Sequence, residues 1–173
     1  DHAAEMNKPL PAEPLVFLKP PTSVIGPEEA IRIPAWAGRI EWRVAPSLLV
    51  RATGHAPAGG GIVLALSDAL RGDLYAGAWN FGAGEVVPVG DPPRARAPGT
   101  LTEFGPVAVV VGSVPEALRA AVEEATGCTL VGGADALPSA AQLLRLDGLT
   151  GGTRMVDDVA GWEPEYGRPA EAQ

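Results

Sequence analysis

The sequence predicts an α/β fold, a mixed sheet flanked by helices over residues 46–173, preceded by a short all-β stretch over residues 1–45. Three observations predict it. Residues 62–66 and 107–111 are continuous apolar runs, the composition of strands covered on both faces. Helical patterns over 114–126 and 139–146 alternate with such runs, the rhythm of an α/β sheet. Before Ala45 the chain is instead dense in proline and β-forming residues, so the two parts read as pieces of different proteins.

In the first part, residues 1–8 can open a helical turn, which Pro9, Pro11 and Pro14 stop from continuing. Residues 15–18 predict a short buried strand ended by Pro20 and Pro21, and residues 22–25 and 30–33 two more around the turn at Gly26, Pro27 and Glu28. Over 40–44, Ile40, Trp42 and Val44 alternate with a strand's period of two. Fragments of this length bury too little surface to stand alone.

In the second part, residues 46–52 predict a helix and 54–61 a glycine-rich loop. Residues 62–66 predict a central strand, and 73–81, alternating Leu74, Ala76 and Ala78 with Tyr75, Gly77 and Trp79, its antiparallel neighbour; 85–89 extends the meander. A proline-rich loop is expected over 91–98, then a helical turn at 101–104 and a second buried strand at 107–111. Over 114–126, Leu118, Ala121, Val122 and Ala125 share one helical face, with Pro115 in the tolerant first turn and Gly127 as the stop. Residues 128–131 predict a third strand and 139–146 a second helix after Pro138. The tail, 155–173, is expected to run as an extended arm pinned by Trp162 and Tyr166.

Composition narrows the function classes. The 173 residues carry a net charge of −8, which argues against direct nucleic-acid binding, since that affinity rests on Lys and Arg neutralising phosphates. Docking on a basic partner protein stays open. Cys128 is the single cysteine, so no internal disulfide forms, and it reads as a small core hydrophobe. No apolar run approaches the roughly 20 residues that span a bilayer. With no signal segment, the cytoplasm is the expected compartment and no membrane contact is expected. The chain opens on Asp1 rather than Met, as a truncated or joined product would.

His2 and Glu5 stand three apart, a spacing that puts an imidazole and a carboxylate on one face of a helical turn, where they can orient a water and move its proton. His2-Ala-Ala-Glu5-Met, then Asn7-Lys-Pro-Leu-Pro and the run from Pro14 to Gly26, resemble the start of the catalytic domain of the fumarylacetoacetate hydrolase family. That resemblance implies His2 and Glu5 as catalytic residues acting on a keto acid beside a divalent metal such as magnesium. It also implies two metal-binding glutamates shortly after the Gly38-Arg39-Ile40-Glu41-Trp42 segment, and those positions hold Arg43 and Ala45. An arginine and an alanine offer magnesium no oxygen. Glu41 is left as the nearby carboxylate, and no metal site or cofactor is expected here outside the hydrolase reading.

Over 46–173, three landmarks occur in order. Leu66-Ser-Asp68-Ala-Leu-Arg71-Gly72-Asp-Leu-Tyr75-Ala, Pro138-Ser139-Ala-Ala-Gln-Leu-Leu-Arg-Leu and Glu163-Pro-Glu-Tyr166-Gly-Arg168 resemble, respectively, a hairpin, a late helix and the closing tail of the TsaB family of tRNA threonylcarbamoyladenosine biosynthesis proteins. Residues 47–52 fit the preceding helix. The resemblance covers the family's C-terminal half and implies half of an actin-like ATPase fold, a non-catalytic role in that tRNA modification and a TsaD-like subunit as partner. The family's N-terminal half, which carries its main pairing surface, has no counterpart in this sequence. The expected function is therefore that of an incomplete TsaB-like component, the alternatives being a fumarylacetoacetate-hydrolase-like enzyme lacking its metal ligands and a fusion or fragment without function.

The remaining signals have plainer readings. Gly59-Gly60-Gly61 lacks the Lys-Ser/Thr of a phosphate loop and reads as a flexible connection. Glu123-Glu124 and Asp157-Asp158 read as solvated faces, and His55 as an isolated loop histidine without a second ligand at metal spacing. Ser113 follows Gly112 but lacks the second glycine of a nucleophile elbow. Arg71-Gly72 predicts a turn, with Asp68 and Arg71 able to pair across it or to form a docking surface.

Overall fold

The chain divides into two units, Asp1–Ile40 and Glu41–Gln173. The computed structural model describes residues 43–158 together with 161 and 162, all in the second unit. The strands proposed before Arg43 and the tail beyond Trp162 lie outside the described residues.

The described residues open with strand β1 (Arg43–Val44) and helix α1 (Ser47–Thr53). The antiparallel meander β2 (Gly61–Asp68), β3 (Leu74–Phe81) and β4 (Val86–Arg96) follows. A 3-10 turn at Pro98–Phe104 leads into β5 (Val109–Ser113), α2 (Glu116–Thr126) and β6 (Leu130–Val131). A second 3-10 turn (Gly133–Ala136), α3 (Ala140–Asp147) and β7 (Arg154–Met155) complete the order. Five strands form one sheet, ordered β4-β3-β2-β5-β6, with β5 parallel to β2 and β6 parallel to β5. This is the α/β architecture, with a mixed sheet between helices, that the sequence predicts.

β2 lies in the middle because its sequence permits nothing else. Val63, Leu64, Ala65 and Leu66 are all fully buried, so both faces of the strand are covered. Val63 and Ala65 join Trp79, Phe81 and Val111 under Leu48, Leu49 and Ala52 of α1 and Leu146 of α3. Leu64 and Leu66 join Leu74, Ala76, Ala78 and Val110 under Val122 of α2 and Leu101 and Phe104 of the first 3-10 turn. Two of the helices carry clear end signals. Ser139 accepts from the Gln142 amide while the Gln142 side chain accepts from the Ser139 amide, a capping box at the start of α3. Gly127 ends α2 in the left-handed conformation at φ 67°.

Several expectations are corrected. The proline-rich stretch is no loop: β4 runs on to Arg96, because it is an edge strand, where proline's missing N–H costs no ladder bond. Its pairing with β3 shifts between Ala76 and Ala78, at Gly77. A Cβ on Gly77 would lie 2.6 Å from the Trp79 ring and 2.9 Å from Pro93, so the glycine makes room for the indole. The third strand begins at Leu130 rather than Cys128; the cysteine, half-buried before it, turns its Sγ to the Val107 carbonyl at 3.3 Å. Ala121 of α2 is exposed, since the buried stripe of that helix centres on Val122. Trp162 is 40% exposed, and Tyr166 is outside the described residues.

The glycine run before β2 is a turn rather than a slack connection. The Gly60 amide donates to the Pro57 carbonyl at 3.0 Å, and a Cβ on Gly60, at φ 81°, would lie 2.7 Å from the Phe81 carbonyl oxygen. Between β2 and β5, Gly112 lies opposite Leu66, and a Cβ there would fall 2.5 Å from the Leu66 oxygen. Gly112→Ala is expected to prise these central strands apart and to lower stability by about 1–3 kcal/mol, the usual cost of overpacking. Urea unfolding followed by circular dichroism measures it.

Candidate functional site

The carboxyl ends of β2 and β5 carry the clearest polar grouping of the sheet. Register sets Ser67 of β2 beside Ser113 of β5 on one side and Tyr75 of β3 on the other, all on the face that α1 covers. Ser113 is exposed and Ser67 and Tyr75 are half-buried, so the row opens to solvent. Open α/β sheets place ligand crevices at such strand ends.

Arg51 of α1 stands over this end. It is 9% exposed, and its Nη1 donates to the carbonyl oxygen of Leu66, the residue before Ser67. Its Nε–H is buried without a hydrogen-bond partner. Burial lowers the guanidinium from its ordinary pKa. Arg96 shares the buried, unpartnered Nε–H but differs in its charge partners. That residue, equally buried, has Glu103 at 2.8 Å and Asp91 at 3.5 Å, with its guanidinium 4.8 Å above the Phe104 ring. It is a structural pin for the end of β4. Sequence reading passed over Arg51; the signal was a lone cation among Leu48, Leu49 and Ala52 on the face of a short helix.

Beside this row lies the predicted turn, between Asp68 and Asp73. Asp68 does not cap it through a charge but accepts from the Leu70 amide through Oδ1 at 2.8 Å. The Ala69 and Asp73 amides close the turn on the Asp73 and Leu70 carbonyls at 3.0 and 3.1 Å. Leu70, Arg71 and Gly72 all have positive φ, at 66°, 54° and 88°. Glycine was foreseen there, but the two side-chain-bearing residues before it were not.

The other residues singled out by sequence are placed as follows. His2, Glu5 and Glu41 lie outside the described residues. Arg43 pairs with Met155 in the β1–β7 ladder, and its Nη1 lies 3.3 Å from Asp147 Oδ1, which also accepts from Thr153. Ala45 packs against the core beneath α1. His55 Nε2 lies 2.8 Å from the Asp135 carbonyl, a loop tie. Glu123 is only partly solvated: its Oε1 accepts from the Leu130 amide at 3.0 Å and pairs with Arg119, tying β6 to α2. Asp157 and Asp158 are exposed, as expected. Among the described residues no group of three or more His, Cys, Asp or Glu could hold a metal ion, and no helix is long and apolar enough to cross a membrane.

Comparison with known proteins bears chiefly on the first part of the chain. The family model for the fumarylacetoacetate (FAA) hydrolase C-terminal region matches residues 1–45. Those residues are fumarylacetoacetate-hydrolase-like. An oxaloacetate tautomerase, fahd2, from Xenopus laevis mitochondria is 43% identical over 42 residues, 24% of this chain and 13% of its own length. A putative hydrolase of Burkholderia lata is 42% identical over 53 residues, 31% of this chain and 19% of its own. Protein Rv2993c of Mycobacterium tuberculosis is 36% identical over 77 residues, 44% and 29%. The chain thus spans less than a third of the length of these relatives. The TsaB resemblance of residues 46–173 finds no counterpart among them, and no solved structure matches.

The hairpin turn gives a direct test. Leu70 is 67% exposed and left-handed, a conformation that costs a leucine about 1–2 kcal/mol and that asparagine tolerates. Leu70→Asn is expected to raise stability by about 0.5–1 kcal/mol, read as a higher urea midpoint at unchanged slope.

Proposed function

We propose that residues 1–45 supply the proton-handling end of a keto-acid site of the fumarylacetoacetate hydrolase type, with His2 and Glu5 as its proton carriers. The observation that carries this reading is the family match over residues 1–45, which includes both groups at their expected spacing. The name of the Xenopus relative suggests the reaction: exchange between keto and enol forms of a keto acid such as oxaloacetate. That exchange needs a proton taken from carbon and one returned to oxygen, or the reverse, which an imidazole and a carboxylate can perform. The residues present do not fit the family's metal. Arg43 is engaged with Asp147 and Ala45 has no donor atom, so no step is assigned to magnesium and metal-dependent carbon–carbon cleavage is not proposed.

The test uses the full chain, with enol oxaloacetate followed by its ultraviolet absorbance, with and without magnesium. A ketonisation rate above that of buffer, independent of magnesium and reduced at least about tenfold in His2→Ala or Glu5→Gln, is the expected result, a loss within the usual contribution of general acid–base catalysis. A rate equal to buffer overturns the reading.

A second reading, a non-catalytic TsaB-like role for residues 46–173, rests on the order of the three landmark motifs in the sequence. It predicts retention of a TsaD-like subunit in co-purification at micromolar concentration. Elution of that subunit without the chain rejects it.

A further inference from the structure

We infer that the carboxyl end of β2 and β5 binds a small oxyanion, a carboxylate or phosphate group, held by the Arg51 guanidinium and the hydroxyls of Ser67 and Ser113. This site lies within the second unit and stands independently of the keto-acid reading of residues 1–45.

The first argument is charge. A buried cation costs several kcal/mol unless an anion compensates it. Arg96, Arg119, Arg94 and Arg43 each have a carboxylate within 4 Å. Arg51, at least as buried as all of these but Arg96, meets a neutral carbonyl and, among the described residues, has no carboxylate partner. The second argument is the orphaned Nε–H: Arg96 also has a buried Nε–H without a partner, but its guanidinium is offset by Glu103 and Asp91, whereas among the described residues Arg51 has no such carboxylate. The third is placement. Nη1 sits on the carbonyl of the peptide that joins Leu66 to Ser67, and the ladder sets Ser113 directly beside Ser67. The Leu66 carbonyl that Arg51 engages and the two serines thus share one end of two parallel strands. The hydroxyl end is open, since Ser113 is exposed, while the cation forms the inner wall. Asp68, next along β2, does not fill the place, because its carboxylate is turned to the Leu70 amide.

The ligand chemistry follows from the donors. A planar guanidinium and two hydroxyls suit an acceptor with several oxygens and a negative charge. The net charge of −8 makes general attraction of anions a poor alternative explanation for any binding found.

The experiment titrates the full chain, labelled with nitrogen-15, with inorganic phosphate and separately with pyruvate. Sodium chloride at matched ionic strength is the control, and the arginine Nε–H resonances are read. The expected result is one Nε–H signal, absent from Arg51→Met spectra, that moves saturably with one of the two anions and not with chloride. Stronger binding of phosphate assigns the site to phosphorylated ligands, and stronger binding of pyruvate to carboxylates. The double variant Ser67→Ala, Ser113→Ala, which alters no core residue, is expected to weaken binding about tenfold or more, as loss of hydrogen bonds to a charged group does. Should Arg51→Met fail to fold, this serine variant decides the matter by itself. Shifts that match chloride, or equal affinity in the serine variant, overturn the proposal.

Discussion

The second unit depends on one strand having no solvent side. Residues 63 to 66 of β2 are fully buried, and every layer of the unit touches that strand or a neighbour hydrogen-bonded to it. Two consequences follow from the pleat. Odd positions must meet α1 and α3, and even positions α2 and the first 3-10 turn, so a slip of one residue would exchange two cores of different shape. The parallel neighbour β5 must also come close enough to bond, which Gly112 permits by presenting no side chain to the Leu66 carbonyl.

What the sequence revealed of this fold was whatever periodicity and end signals encode. The apolar runs marked β2 and β5, the alternation of Leu74, Ala76 and Ala78 marked β3, and Ser139 and Gly127 marked helix ends. The misjudged places were those where tertiary position overrides local preference. Pro92 and Pro93 signal a loop to any local reading, yet they lie within a strand because that strand is at the edge. Glu123 belongs to an acidic pair that reads as solvated, until β6 brings the Leu130 amide to it. Arg51 was hidden for the opposite reason: charge within a short helix normally implies exposure, and only the packed sheet shows that it is covered.

Chemistry divides along the chain as composition does. His2 and Glu5, the residues proposed to carry protons, belong to the stretch that matches the hydrolase family model. Where that stretch joins the α/β unit, Arg43 is drawn into a two-stranded ladder with the chain's later residues and an ion pair with Asp147. Arg43 thus serves a structural role in the α/β unit. The buried cation of the α/β unit lies elsewhere, at the ends of its parallel strands, and among the described residues no carboxylate pairs with it.

The prolines of β4 reach beyond the packing they tolerate. An outer strand offers its free amides as a template on which another chain can extend the sheet, and Pro88, Pro92 and Pro93 withdraw amides from that template. The opposite border, β6, is two residues long and leaves little to copy. The strand that local rules would have called a loop thus places its prolines along a border of the sheet, where they limit what a neighbouring chain could pair with.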